Sequence, residues 1–203
     1  VTATRERSIN LRDWEVRAIQ AGRLKMLVRP VKPQPVSPGD GAYFDAYNGG
    51  PEWTWWTPDN RQYLSQIIRC PYGKPGDRLW VKEQTLKVED HGWVGPVYTE
   101  SDAGRYALAW GYGESDDPDH IPPHAIKRRP SIFMTRAMCR ITLEVTGVRV
   151  ERLQQDIREA DALAEGIDDG YLVREKLPPP RRAVYHYLWD DINGPGSWDA
   201  NPW

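Results

Sequence analysis

Gly76-Asp77-Arg78-Leu79-Trp80-Val81-Lys82-Glu83 is the stretch from which the fold is read. It follows a turn-rich run, Cys70-Pro71-Tyr72-Gly73-Lys74-Pro75, so the chain is expected to leave a turn at Asp77 and enter a strand over 78–86. Side chains alternate along a strand. Leu79 and Val81 are therefore expected inside, with Trp80 and Lys82 on the opposite face.

Upstream, Leu11, Trp14 and Ala18 fall on one face of a helix expected over 11–21, with Asn10 as its N-cap and Gly22 as its stop. Arg29-Pro30-Val31-Lys32-Pro33-Gln34-Pro35 must be extended, because each proline biases its predecessor away from helix. Residues 36–69 read as a long insert rich in Trp, Pro and Gly. Downstream, short strands are expected over 93–99 and 105–110, and a loop over 114–123. Ile141, Leu143 and Val145 alternate with polar residues, which predicts a strand over 140–153. Asp156 and Glu159 are spaced as a capping box for a helix ending at Gly166. A last helix over 181–192 has Pro180 at its first turn and a shared face of Val184, Tyr187, Leu188 and Ile192. Strands dispersed among helices without regular alternation predict an α+β fold, with the 203 residues forming one domain.

Composition narrows the function classes. No apolar run approaches the roughly 18 residues of a membrane helix. The polar start shows no signal peptide, and two cysteines are too few for a disulfide framework, so a reducing cytoplasm is expected. The net charge of -2 gives no global attraction for nucleic acid, so any such site must be a local basic patch. Cys70, His91, His120, His124 and Cys139 are scattered, and the prolines of His120-Ile121-Pro122-Pro123-His124 preclude a helical metal pair. Asp116-Asp117-Pro118-Asp119 lacks the glycine turn and closing glutamate of a calcium loop. No metal and no cofactor are expected.

Several blocks, in order, resemble the ASCH family of the PUA-like superfamily, in its phage and prophage version. They are Ala21-Gly22-Arg23, the proline-rich 29–35 segment, Cys70 to Gly73 with the Gly76 to Glu83 block, Arg129-Pro130-Ser131-Ile132 with Met134 and Arg136, 140–166, and 188–203. The resemblance implies a small β-barrel of about five or six strands flanked by helices. It also implies a cleft between the first-helix exit and the strand bearing Glu83, and a further strand beyond Trp203. Some members remove acyl groups from the exocyclic amine of cytidine, and others are described as binding or cleaving RNA.

The resemblance places catalysis on Glu83 together with a Lys-Thr-x-Thr segment, where this chain reads Leu24-Lys25-Met26-Leu27. A leucine can neither shuttle a proton nor donate a hydrogen bond. The expected function is therefore binding of RNA, a nucleoside or a nucleotide in a bacterial host cell, by a degenerate relative of acylcytidine amidohydrolases. Arg23, Arg29, Lys32, Lys82, Arg129 and Arg136 suit phosphate contacts, and Trp80, with Trp53, Trp55 and Trp56, suits stacking on bases. Two alternatives stand beside it. One is an active hydrolase using Glu83 and a shifted Lys25; the other is a phage accessory module that binds a protein through the Trp-rich insert.

Overall fold

The structure is a computed structural model. It describes residues 4–37, 42–47, 52–59, 62–156, 158–167 and 181–203, of which 62–66, 155–156 and 181–182 are described by backbone alone. Pro180 and parts of the 36–69 insert lie outside the described residues. In chain order the first elements are β1 (Glu6–Asn10), α1 (Asp13–Gln20), β2 (Tyr43–Ala46), β3 (Glu52–Trp56) and β4 (Gln62–Arg69). Then come β5 (Arg78–Lys82), β6 (Thr85–Lys87), β7 (Val97–Tyr98), α2 (Asp102–Trp110), β8 (Lys127–Arg129) and β9 (Thr142–Glu144). The last are α3 (Leu153–Asp156), α4 (Glu159–Ala164) and α5 (Arg181–Asn193). The fold is α+β, with three three-stranded sheets; no ladder closes them into a barrel among the described residues. No described helix is long and apolar enough to cross a membrane. The chain forms two compact units, residues 1–20 with 77–144, and residues 21–76 with 145–203.

The first unit is built outward from β5. This strand pairs parallel with β1 and antiparallel with β9, placing Leu79 opposite Leu143 and Trp80 opposite Thr142. Leu79 and Val81 are buried, as their parity requires, beside buried Ile9, Leu11, Val16 and Ala18. The strand is shorter than the expected 78–86. It breaks at Glu83-Gln84, and Thr85–Lys87 continues as β6 in a second sheet of order β7-β6-β8. The corner keeps its backbone satisfied: the Lys82 carbonyl accepts from the Leu11 N–H, and the Gln84 carbonyl accepts from the Thr99 N–H and hydroxyl. Leu86, Val88, Val97, Ala107 and Ile121 make the core under this second sheet. Each larger member contributes about 1.5–3 kcal/mol by leaving water.

Three expectations are corrected here. Asn10 ends β1 and caps no helix; the first turn of α1 is closed by the Glu15 carboxylate, which accepts from the Arg12 N–H at 2.8 Å. Residues 105–110 belong to the helix α2. The Ser101 hydroxyl caps it by accepting from the Gly104 N–H, and the alanines that follow favour helix over strand. The strand expected over 140–153 is confined to β9, and α3 begins at Leu153.

The second unit holds the sheet β2-β3-β4, so the segment read as a long insert contributes a sheet of its own. Trp53 and Trp55 are buried on either side of a register shift, and Trp55 packs against Phe44 and Trp203. Trp203 is anchored in turn. Its carbonyl accepts from the Val31 N–H, its N–H donates to Gln34 Oε1, and the Arg152 guanidinium lies 4.4 Å from its ring centre. Leu153, Ala162, Ile167, Val184, Tyr185, Trp189 and Trp198 form a helical core. The buried face of α5 runs through Tyr185 and Trp189, and Tyr187, expected inside, is exposed. The cap of α4 is Asp161, whose carboxylate accepts from the Arg158 N–H at 2.9 Å, in place of the expected Asp156–Glu159 pair.

Candidate functional site

Glu83 sits where β5 ends and the chain turns into the second sheet. It follows Leu79 and Val81 in inward parity, so its carboxylate is carried into the core and is only 1% exposed. A buried carboxylate needs a cation, and Arg140 provides it. Nε of Arg140 donates to Oε1 of Glu83 at 2.9 Å, and Nη2 donates to Oε2 at 2.7 Å. The guanidinium carbon lies 4.1 Å from the centre of the Tyr98 ring, and the Tyr98 hydroxyl donates to the Met138 carbonyl at 2.6 Å. The Glu83 N–H donates to the sulfur of Met134. The hydrogen bonds to Glu83 raise the Arg140 pKa further above its ordinary value, and burial raises that of Tyr98, reinforced by the Glu83 charge.

Glu100, just before α2, extends the cluster. Its carbonyl accepts from Gln20 at 2.8 Å and from Nη2 of Arg140 at 3.4 Å. Its carboxylate Oε1 accepts from Arg17 at 2.7 Å, whereas Oε2 is buried without a hydrogen bond and stands 3.8 Å from Arg105. Burial raises the Glu100 carboxyl above the usual carboxylate range, and Arg17 and Arg105 oppose that rise only in part.

Arg23, Lys25, Arg29 and Lys32 belong to the second unit. The segment docks on the C-terminal end of α4. The N–H groups of Lys25 and Met26 donate to the Ala164 carbonyl, Arg23 donates to the Gly166 carbonyl at 2.9 Å, and the Val28 N–H donates to the Glu165 carboxylate. Orphan carbonyls of a helix end are thereby satisfied, and the cationic side chains lie at its negative pole. Arg23 and Lys25, with Ala160, Leu163 and Ala164, line an open depression of about 370 Å³. Arg29 bonds to the Val28 carbonyl, and Lys32 is exposed.

The other anticipated contacts already have protein partners. Lys82 donates to the Ile132 carbonyl at 3.1 Å and lies 5.2 Å from the centre of the Trp80 ring. Arg129 pairs with both oxygens of Glu89, and Arg136 with both oxygens of Glu6. The Arg136 bonds hold Glu6 below the usual carboxylate range. Trp53 and Trp55 are core side chains and offer no stacking surface. Among the described residues no group of three or more His, Cys, Asp or Glu is placed to hold a metal ion.

Arg140, Tyr98 and Glu100 were not singled out in the sequence. One signal was present: a carboxylate in inward parity must be paired, and Arg140 stands at the entry to the antiparallel partner strand. Comparisons with known proteins add no relative: no family model, no curated protein and no solved structure matches the chain.

Proposed function

We propose that the protein is a binding module for nucleic acid or nucleotides of the ASCH, PUA-like type, and that it carries no hydrolytic activity. On this reading the corner at Glu83-Gln84 is the bend of a small β-barrel, with the two sheets of the first unit as its wall. The observation that carries the binding role is the depression beside α4, where Arg23 and Lys25 stand over Ala160, Leu163 and Ala164. Cations beside an apolar floor suit a ligand that is anionic on one side and flat on the other. Hydrolysis is disfavoured by the double hydrogen bond from Arg140, which engages both oxygens of Glu83 and leaves the carboxylate poorly placed to take a proton from water.

Fluorescence anisotropy with a single-stranded RNA, measured between 50 and 200 mM salt, tests the binding role. The affinity is expected to fall with salt, and the log–log slope to shrink by roughly 0.7 for each phosphate contact removed in Arg23→Ala/Lys25→Ala. Absence of binding at low salt, or an unchanged slope, overturns the reading. Acylated cytidine is expected not to turn over. Turnover that collapses in Glu83→Gln would restore the hydrolase alternative.

A further inference from the structure

Residues 120–143 hold no Asp or Glu but carry Lys127, Arg128, Arg129, Arg136 and Arg140. Within them a 3-10 turn over Ser131–Phe133 lifts two apolar side chains into solvent, Ile132 at 58% exposure and Phe133 at 63%. The turn is fixed from behind, because Met134 is buried and its sulfur accepts from the Glu83 N–H. Three of its carbonyls already accept within the protein. The Phe133 N–H donates to the Pro130 carbonyl, the Met134 N–H to the Ser131 carbonyl, and Nζ of Lys82 to the Ile132 carbonyl at 3.1 Å. Cations flank the tip on the outer face of the sheet β1-β5-β9. Lys82 reaches that face by parity, and Arg136 reaches it through Glu6, which stands opposite Arg78. The Arg136–Glu6 pair lies at the surface, where an outside phosphate can compete for the guanidinium.

We propose that this tip docks the protein on the surface of an anionic lipid bilayer, without crossing it. Ile132 and Phe133 enter the boundary between headgroups and acyl chains, and Lys82 and Arg136 meet the lipid phosphates. Two features select a bilayer over a nucleic acid. Successive side chains of a 3-10 turn diverge by about 120°. Ile132 and Phe133 are therefore too splayed to share one gap between bases, whereas a bilayer takes both. A base stacked on Phe133 alone would leave Ile132 in water. The second feature is the backbone. An apolar medium penalises every carbonyl without a donor, and those of Pro130, Ser131 and Ile132 bring their own. Insertion and charge divide the work: the two apolar side chains hold the protein to lipid, and the cations choose the anionic kind.

The test is co-sedimentation of the full chain with vesicles of phosphatidylcholine alone, and of phosphatidylcholine with an equal share of phosphatidylserine. Binding to the mixed vesicles is expected to be at least about tenfold tighter and to weaken with salt. Ile132→Ser/Phe133→Ser is expected to lose at least about tenfold of that affinity. Both side chains already face water, so its urea midpoint should stay that of the wild type. Ile132→Ser alone serves where the double variant folds poorly. Lys82→Gln/Arg136→Gln is expected to lose the preference for phosphatidylserine. No binding to the mixed vesicles, equal binding to both kinds, or full binding by the folded tip variant overturns the proposal. RNA binding that is lost in the tip variant, with vesicles left unbound by the wild type, would assign the tip to nucleic acid instead. Arg23→Ala/Lys25→Ala should keep the wild-type vesicle affinity, so the depression and the tip can fail separately.

Discussion

Gly104 faces the carbonyl oxygen of Tyr98 so closely that a Cβ on it would stand 1.9 Å from that oxygen. The first turn of α2 is thus pressed against the strand that carries the ring beneath Arg140. Backbone cannot give way as a flexible side chain can, so Gly104→Ala is expected to cost about 1–3 kcal/mol, as overpacking does. Gly147, whose added Cβ would meet nothing within 4 Å, is the control, and Gly147→Ala should be close to neutral. Urea unfolding of both variants checks the contrast, and equal midpoints would refute it.

Arg140→Met is expected to destabilise by about 3–5 kcal/mol, because it leaves the buried Glu83 carboxylate without its cation. Adding Glu83→Gln should recover part of that loss. A double-mutant cycle by chemical denaturation reads the coupling directly. Losses that simply add would mean the two side chains are energetically independent.

The pH dependence has an assignable source in Glu100. Burial lifts its folded pKa above the unfolded value, and Arg17 opposes that lift. The protonated carboxyl is therefore the form the fold prefers. Its contribution is complete below about pH 4.3, the unperturbed value, and is lost as pH rises through the raised folded pKa. Glu6 runs the other way: held low by its bonds from Arg136, its contribution is lost as pH falls through its lowered folded value. Glu100→Gln should flatten the decline of urea midpoints above about pH 4.3, and an unaltered pH profile would rule Glu100 out as its source.

Asp161 holds the start of α4 and also accepts from Arg149 at 2.7 Å. Burial pushes its carboxyl upward, but the hydrogen bonds from Arg158 and Arg149 outweigh it and keep the group below the usual range. Asp161→Ala is expected to cost about 1–2 kcal/mol through the lost cap. Because Lys25 and Met26 donate to Ala164 in that helix, their amides should exchange faster with solvent in the variant. Unchanged protection at those two amides would show that α4 does not hold the basic segment.

The parts of the fold legible in the sequence were those set by local alternation. Leu79 and Val81 read correctly as inward, and β5 and β9 share a sheet. β1 was missed because Glu6-Arg7-Ser8-Ile9-Asn10 is almost wholly polar and becomes a strand only by pairing with β5. α2 was misread because Tyr106 and Trp110 look like strand residues, whereas the Ser101 cap and the glycine contact that fix the helix depend on tertiary structure. Of the buried cluster around Arg140, the sequence singles out Glu83 alone. Its partner lies 57 residues away, beyond the reach of local spacing, and only its place at the entry to the strand that pairs with β5 points to it.

The aromatic cluster of the second unit has a consequence for synthesis. Trp203 closes over Phe44 and Trp55 and bonds to Gln34 across a separation of 169 residues. At about 5–20 residues per second, the sheet β2-β3-β4 leaves the ribosome on the order of ten seconds before its cover. During that interval the nascent chain lacks the side chain that covers Phe44 and Trp55, which leaves an aromatic surface open to aggregation until Trp203 arrives.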